Sequence, residues 1–163
     1  VRVFVDEQII PVAQELEHSD TYPQEIVDGL KELGVFGLTI PEEFGGLGES
    51  LLTYALVVEE IARGWMSVSG VINTHFIVAY LLMQHGTEEQ KAKYLPRMAT
   101  GEVRGAFSMS EPGLGSDVSA VSTKATVTKQ EADGTALEYS ITDRKSTRLN
   151  SSHTDISRMP SSA

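Results

Sequence analysis

The residues best suited to chemistry lie in a short polar segment, residues 109–117. This segment turns through Pro112 and two glycines, and it ends in Ser116 and Asp117. A glycine-containing loop of this kind can bring backbone N–H groups close to an anion or a flat polar ring. On spacing alone, however, a plain connection made of turn residues is the better interpretation.

Several titratable side chains invite a catalytic interpretation. Glu111 and Asp117 are candidate catalytic bases. However, a carboxylate in a glycine-rich turn more often accepts hydrogen bonds from backbone N–H groups. His75 is a candidate proton shuttle or pocket residue, although a hydrogen-bonded structural histidine is the expected role on its mostly apolar helix. Adjacent Glu59 and Glu60 point in different directions on a helix, so they cannot act as a pair. The sequence has no cysteine and no metal-ligating pattern, so no metal site is expected.

The composition is that of a soluble globular protein, with 40% hydrophobic and 22% charged residues among 163. The net charge of −10 argues against nucleic acid or an anionic membrane surface as a partner. We see neither a secretory signal pattern nor an apolar run of about 18 residues, so neither export nor membrane insertion is expected. The expected location is cytoplasmic.

Apolar side chains recur at helical spacing through residues 1–103, which predicts an all-helical N-terminal domain. The first helix is expected to bury one stripe, made of Val3, Ile9, Val12 and Leu16. Residues 68–85 are apolar on most sides, which is typical of a buried central helix.

Helix boundaries are marked by local signals. Pro23 is expected at a helix start and Gly34 at the end of the same helix. Thr87 and Gln90 have the spacing of a capping box, which predicts another helix start. Residues 38–48 contain a proline and three glycines, and they are expected to form a loop.

After residue 103 the period changes from helical to alternating. Residues 106–110, 125–128 and 137–141 are each predicted as strands, with a turn at Asp133 and Gly134. Helices followed by separate strands indicate an α+β fold. We therefore expect a helical domain over residues 1–103 and the truncated start of a β-barrel or β-sheet domain over residues 104–142.

The remaining residues, 143–163, differ in character from the rest of the chain. They lack apolar periodicity and are rich in serine. Residues 143–153 can be encoded by a string that resembles a common sequencing adapter, and residues 157–163 by its downstream part. We interpret residues 143–163 as a non-native, adapter-derived tail that is expected to be disordered.

Residues 109–117 resemble a signature of the acyl-CoA dehydrogenase family, Leu/Met-Ser/Thr-Glu-Pro-x-x-Gly-Ser-Asp. Further segments match the family in order and at its usual separations: residues 33–38, 41–46, 58–62, 85–91, 94–96, 99–102 and 106–108. The matches cover nearly all of residues 1–142. Leu114 departs from the pattern, since a small residue is commoner there.

The resemblance implies a fold and an activity. Family members have an N-terminal helical domain, a middle β domain and a C-terminal helical domain, the last of which is expected to be missing here. They bind FAD and oxidise the Cα–Cβ bond of an acyl-CoA thioester to a trans-2-enoyl-CoA, as in fatty acid oxidation. A Glu carboxylate removes the α-proton, and the β-hydrogen leaves as hydride to the flavin. Electrons then pass to an electron-transferring flavoprotein, and members are commonly homo-oligomers.

The family's site residues carry over to five positions of this sequence. Phe107, Met109 and Ser110 are expected to approach the flavin, with the Ser110 hydroxyl near its N5 edge. Gly115 is expected to let the loop come close to the cofactor. Ser116 is expected to contact both the cofactor and the acyl-CoA substrate.

No residue of this chain is expected to be the catalytic base. The resemblance places the general-base Glu in the C-terminal domain, well beyond residue 142. It also implies that the acyl tail runs between two helices, near residues 71–80 and Leu95. The chain by itself is therefore expected to be inactive and to bind FAD weakly or not at all.

Two alternatives remain open. An acyl-CoA oxidase or a flavin monooxygenase of the same fold would share the helical domain, although the loop over residues 111–117 favours the thioester enzymes. A non-enzymatic helical interaction module would need no flavin loop. The oxidase and the dehydrogenase differ in how oxygen reaches the flavin.

Overall fold

The protein is described here from a computed structural model. The described residues are 1–107, 109–111, 115–132, 136–142 and 156–160. The chain divides into two compact units, Val1–Phe107 and Ser108–Ala163. The first is helical and the second contains an antiparallel sheet, so the predicted α+β class is confirmed.

The first unit consists of helices joined by short turns. Its helices are α1 (Arg2–Phe4), α2 (Ile10–His18), α3 (Gln24–Glu32), α4 (Leu51–Gly64), α5 (Met66–His85) and α6 (Glu88–Ala99). A π-turn over Val5–Ile9 joins α1 to α2, and two 3₁₀ turns lie at Val35–Gly37 and Glu42–Phe44. The 3₁₀ turns fall before and within the predicted glycine-rich loop.

The first helical stretch packs in a different register from the one predicted. Val5, Ile9 and Ala13 are buried, whereas Val3 and Val12 are exposed. The π-turn accounts for the difference, because it holds more residues per turn than an α-helix and so rotates the apolar stripe. The assignment of Val3 and Val12 to the buried stripe is therefore wrong.

The helix boundaries predicted from local sequence signals are confirmed. Pro23 is the N-cap of α3, and Gly34 follows the end of that helix with φ +72°, a left-handed conformation in which glycine carries no steric cost. The capping box before α6 is confirmed. Gln90 N donates to Thr87 Oγ1 at 3.2 Å, and Thr87 N donates to Gln90 Oε1 at 3.0 Å.

Two clusters of apolar side chains form the core of the helical unit. The larger joins the N-terminal stretch to α3, α4 and α5, and includes Ile9, Leu30, Phe36, Ile61 and Ile72. The smaller joins α5 to α6 through Ile40, Ala79, Leu95, Met98 and Ala99. Helix α5 contributes to both clusters, so it is the central element of this unit.

Helix α5 is nevertheless not buried on all sides as predicted. Tyr80 is 52% exposed and Leu81 is 40% exposed. By length and composition alone the helix could cross a membrane, since an 18-residue window has a mean hydropathy of 1.5. A soluble protein's core helix passes the same test, and α5 carries the fully buried, hydrogen-bonded His75. We interpret it as a core helix with one open face.

The second unit contains strands β1 (Lys124–Gln130), β2 (Ala136–Thr142) and β3 (Ile156–Pro160) in the order β1-β2-β3. Both pairings are antiparallel, with Ala125 opposite Ile141 in the first. Two predicted strands are thus confirmed. The predicted strand at 106–110 is not a strand in its described residues, because an alternating sequence forms a strand only when its backbone pairs with a neighbour. The predicted turn at 133–134 lies outside the described residues.

Strand β3 falls within the stretch interpreted as an adapter-derived tail. Residues 156–160 pair with β2, which differs from the disorder expected of them. An added antiparallel strand can satisfy the backbone donors and acceptors of an open sheet edge almost regardless of its sequence. The origin of residues 143–163 stays a prediction, and the other residues of that stretch lie outside the described ones.

Candidate functional site

Glu111 anchors the polar loop to the start of the sheet. Its carboxylate is buried, with the residue 7% exposed. Ser122 N donates to Oε1 at 3.1 Å and to Oε2 at 3.0 Å, and Thr123 N donates to Oε1 at 2.8 Å. The two hydroxyls add shorter bonds, from Ser122 Oγ at 2.6 Å and Thr123 Oγ1 at 2.5 Å. Residues 111 and 122–123 are thereby tied together.

These donors also keep the Glu111 carboxylate ionised. The Ser122 and Thr123 hydroxyls, followed by the Ser122 backbone N–H, lower its pKa from 4.5 to about 2, because each bond favours the ionised form. A carboxylate so stabilised is a poor proton acceptor near neutral pH. The prediction that the Glu111 carboxylate accepts hydrogen bonds from backbone N–H groups is confirmed.

Asp117 has an equally local role. Ser119 Oγ donates to Asp117 Oδ1 at 2.6 Å, and Ala120 N donates to the Asp117 carbonyl at 3.3 Å. These two hydrogen bonds lie at the start of the 3₁₀ turn Val118–Ala120. Within the described residues, no group of three or more His, Asp and Glu side chains is placed to hold a metal ion.

With both carboxylates engaged, the predicted site residues remain accessible. Ser110, Gly115 and Ser116 are exposed, and Met109 is 44% exposed. A Cβ built on Gly115 would meet no atom within 4 Å. The packing of the described residues therefore does not require glycine at this position. In the helical unit, Phe107 is 43% exposed.

These properties fit a flavin. An isoalloxazine ring offers apolar faces and a hydrogen-bonding edge, which apolar side chains and a free hydroxyl can match. Met109 and Phe107 supply exposed apolar surface in their respective units, and Ser110 supplies a hydroxyl. The Glu111 carboxylate of this loop stays ionised, and its oxygens are occupied by donors of Ser122 and Thr123.

A groove of about 480 Å³ lies between α4 and α5. Its lining is Thr39, Glu49, Leu51, Tyr54, Asn73, Phe76, Ile77, Tyr80, Leu81, Met83 and Gln84. The α5 residues of this lining overlap the range 71–80 predicted for the acyl tail. Leu95 does not join them, because it is fully buried in the smaller core cluster.

A polar pair sits in this groove. Tyr54 Oη donates to Asn73 Oδ1 at 2.8 Å, and the Tyr54 ring packs edge-on against Phe76 with centroids 4.5 Å apart. Burial raises the pKa of the Tyr54 hydroxyl. Sequence reasoning missed the pair, since helical spacing gives no signal for the hydrogen-bond partner of a tyrosine hydroxyl.

His75 is fully buried and hydrogen-bonded through both ring nitrogens. Nε2 bonds the Phe36 carbonyl at 3.1 Å, and Gly105 N donates to Nδ1 at 3.3 Å. Nε2 must therefore carry the proton, and the ring is neutral. Burial has the largest effect and lowers the pKa of His75. The hydrogen bond to the Phe36 backbone raises this pKa by less, and the positive charge of Arg104 lowers it slightly further. Since neither nitrogen is free, the structural role expected for His75 is the correct one.

The sequence model described as "Acyl-CoA dehydrogenase, N-terminal domain" matches residues 1–102. The chain belongs to the acyl-CoA dehydrogenase family. A similar curated protein is (2S)-methylsuccinyl-CoA dehydrogenase of Cereibacter sphaeroides, 43% identical over 76% of this chain and 23% of the relative.

Solved structures of the family superpose on the chain. The glutaryl-coenzyme A dehydrogenase glutaryl-CoA complex is 34% identical, with a TM-score of 0.77 over 86% of this chain and 35% of that one. The acyl-CoA dehydrogenase of Bacillus anthracis complexed with FAD is 30% identical, with a TM-score of 0.74 over 87% of this chain and 24% of that one. The chain thus spans about a quarter to a third of its relatives' length, and FAD is the cofactor of its family.

Proposed function

We propose that residues 1–142 are the N-terminal helical domain and the start of the middle β domain of an FAD-dependent acyl-CoA dehydrogenase. One observation carries the proposal beyond family membership. Glu111 is held by Ser122 and Thr123, while Ser110 and Ser116 beside it stay exposed. The loop therefore offers neutral hydroxyl groups and uncommitted surface where the family signature predicts cofactor and substrate contacts.

The proposed reaction oxidises the Cα–Cβ bond of an acyl-CoA thioester to a trans-2-enoyl-CoA. The α-proton passes to a Glu carboxylate located beyond residue 142, and the β-hydrogen departs with its electron pair. FAD, when bound, accepts that hydride, and an electron-transferring flavoprotein collects the electrons. In this scheme Ser110 orients the cofactor by a hydrogen bond, and Ser116 contacts the acyl-CoA, so that the reacting atoms stay aligned.

The groove between α4 and α5 is the proposed location of the acyl tail. Its wall is largely apolar, through side chains such as Leu51, Phe76 and Ile77. Burying an alkyl chain there stabilises binding by about 0.8 kcal/mol per methylene. Water excluded from the groove also strengthens the electrostatic interactions that align the thioester.

The test uses the complete protein that carries residues 1–142. It should purify yellow, and its flavin absorbance should bleach when an acyl-CoA such as butyryl-CoA is added without oxygen. Ser110→Ala should weaken FAD binding or slow bleaching about tenfold, as expected for one lost hydrogen bond. Ser67→Ala, at an exposed position on α5, is the matched control and should change neither.

Two outcomes would select a different function. A colourless protein that cannot be reconstituted with FAD would favour the helical interaction module. Rapid turnover with oxygen alone, without need of an artificial electron acceptor, would favour the oxidase. Efficient turnover that depends on the artificial acceptor supports the dehydrogenase.

A further inference from the structure

A second cleft in the helical unit, of about 390 Å³, lies where the turn between α2 and α3 meets the start of α5. Its lining includes Glu17 and Asp20 on the side of the turn and Trp65 at the junction of α4 and α5. The described residues that line it are all different from those of the groove between α4 and α5. The cleft is therefore a separate feature, and none of the predicted flavin or acyl-CoA contacts belongs to it.

Trp65 gives this cleft an unsatisfied hydrogen-bond donor. The residue is 8% exposed, and its indole Nε1 has no hydrogen-bond partner. Within the described part of the chain, it is the one buried side-chain nitrogen or oxygen in that state. A buried indole N–H normally has an acceptor, because an unpaired donor has lost its hydration without a replacement. An acceptor oxygen that comes from a ligand would supply the missing partner.

The start of α5 favours a negatively charged acceptor at the same place. Trp65 is the N-cap of this 20-residue helix, and its side chain makes no capping hydrogen bond. The first N–H groups of a helix have no intrahelical acceptor, and the helix dipole places partial positive charge beside them. A carboxylate therefore suits the Trp65 side of the cleft better than a neutral carbonyl does.

The other side of the cleft is acidic. Glu17 and Asp20 are exposed, and neither forms an ion pair with another described residue. None of the described lining residues is Lys, Arg or His. Arg104 contacts the lining residue Tyr22 but does not line the cleft itself. Two carboxylates without a cation of their own favour a positively charged group from a ligand.

We propose that this cleft binds a small zwitterion, a molecule with an ammonium group at one end and a carboxylate at the other. The ammonium group lies against Glu17 and Asp20. The carboxylate accepts a hydrogen bond from Trp65 Nε1 beside the start of α5. A cleft of about 390 Å³ falls within the range of small-molecule sites. Such binding needs neither flavin nor acyl-CoA, so it goes beyond the proposed function.

The test uses the full chain, in which Trp65 is the one tryptophan, so that indole fluorescence reports on the cleft. Three probes share a six-carbon chain. 6-Aminohexanoate carries both charges, hexanoate carries the carboxylate alone, and hexylamine carries the ammonium group alone. Titration with 6-aminohexanoate should change the fluorescence saturably. Each singly charged probe should bind at least about tenfold more weakly, because it loses one of the two charged contacts.

A double variant tests the acidic side. Glu17→Gln combined with Asp20→Asn keeps the shapes of both side chains and removes their charges. It should weaken binding of 6-aminohexanoate at least about tenfold and should not weaken binding of hexanoate. Glu32→Gln, at an exposed acid that ends α3, is the matched control and should leave both affinities unchanged.

A third variant tests the donor side. Trp65→Phe keeps an aromatic ring and removes the N–H group, so binding is then measured by isothermal titration calorimetry, with circular dichroism to show that the helices remain. The variant should bind 6-aminohexanoate and hexanoate more weakly than the unaltered chain does, and hexylamine equally well.

The contrary outcomes are as distinct as the expected ones. No saturable binding of 6-aminohexanoate or of the shorter 4-aminobutyrate overturns the proposed site. Hexylamine binding as tightly as 6-aminohexanoate would mean an acidic surface without a carboxylate site, and it overturns the proposal as well. An affinity that the double variant leaves unchanged places the ligand elsewhere, with the same consequence. Failure of the flavin to bleach with acyl-CoA would remove the proposed function and leave this site intact.

Discussion

Glu111 and His75 are both ionisable and buried, but their surroundings act on them in opposite ways. The donors around Glu111 are N–H and O–H groups, which stabilise its negative charge. His75 lies in apolar surroundings between one acceptor and one donor, which suit the neutral ring. Near neutral pH neither group exchanges a proton, so both serve to hold segments in place.

The pKa of Glu111 gives a test at this scale. Because its folded pKa lies below 4.5, its stabilising contribution is complete above pH 4.5 and is lost as the pH falls from 4.5 toward 2. We expect its carboxyl carbon to titrate in an NMR experiment with a midpoint near 2. The Glu111→Gln variant identifies the signal by its disappearance. A midpoint near 4.5 would mean that the five hydrogen bonds do not form in solution.

His75 predicts a second pH effect, with a different window. Its folded pKa is lowered below 6.5, so the unfolded chain binds the proton more readily and the free energy of unfolding should fall as the pH drops below 6.5. His75→Gln should lose this dependence and cost about 1–3 kcal/mol at pH 8, where the neutral ring makes both hydrogen bonds. Denaturant unfolding measures both effects.

The control for this experiment is His85→Gln, at the exposed C-terminal end of α5. It should retain the pH dependence assigned to His75. If the two variants behaved alike, the dependence would belong to another group.

The residue types and their local context predicted the structural roles of Glu111 and His75, but not their hydrogen-bond partners. A carboxylate in a glycine-rich turn suggests backbone donors, yet nothing local selects Ser122 and Thr123. The Phe36 carbonyl is likewise brought to His75 by packing between a 3₁₀ turn and α5. Such partners depend on tertiary geometry, which spacing along one chain does not encode.

At the scale of elements, close contact between α5 and the segment leaving α6 depends on Gly105. A Cβ at this position would lie 2.5 Å from Val78 Cβ, too close for either atom to stay in place. The short approach lets Gly105 N reach His75 Nδ1. The segment is therefore fixed to α5 by both packing and a hydrogen bond.

Two glycine substitutions should have effects of opposite sign. Gly105→Ala should destabilise the helical unit by about 1–3 kcal/mol, because the contact with Val78 forces backbone movement. Gly70→Ala, inside α5, meets no atom within 4 Å and should stabilise it by up to about 1 kcal/mol through helix propensity. Thermal unfolding of the two variants checks this. A stabilising Gly105→Ala would show that the segment does not pack on α5.

Element boundaries were predictable where the signal is local. Pro23, Gly34 and the Thr87–Gln90 capping box act within one helical turn, and all three hold. The predicted buried stripe of the first helix was wrong because the π-turn has no clear sequence signature. The strand predicted at residues 106–110 was wrong, because backbone hydrogen bonding to a neighbouring strand decides whether a segment joins a sheet. Alternation of apolar and polar residues does not decide it.

At the scale of the whole molecule, the fold class and family were predictable, but the open surface was not. Leu51, Leu52 and Leu56 on α4 are 69%, 70% and 56% exposed, although helical patterning normally turns leucine inward. Of these three, Leu51 lines the groove together with the open face of α5. Apolar surface of this kind marks a site that contacts something else.

Cofactor binding tests the molecule as a whole. The described chain presents residues matching one part of a flavin site, so residues 1–142 alone should bind FAD weakly or not at all. The complete protein should bind it stoichiometrically. Titration of FAD fluorescence with each protein measures the difference, and tight one-to-one binding by residues 1–142 would contradict it.

The imidazole of His75 has a consequence for how the helical unit comes apart. A single ring links the turn at Phe36, the central helix and Gly105, so opening the turn or the Gly105 segment breaks a hydrogen bond to this ring. Melting of this unit should therefore be cooperative. The Gly105 amide should exchange its hydrogen with solvent only as often as the entire unit unfolds, which makes one backbone proton a reporter of global stability.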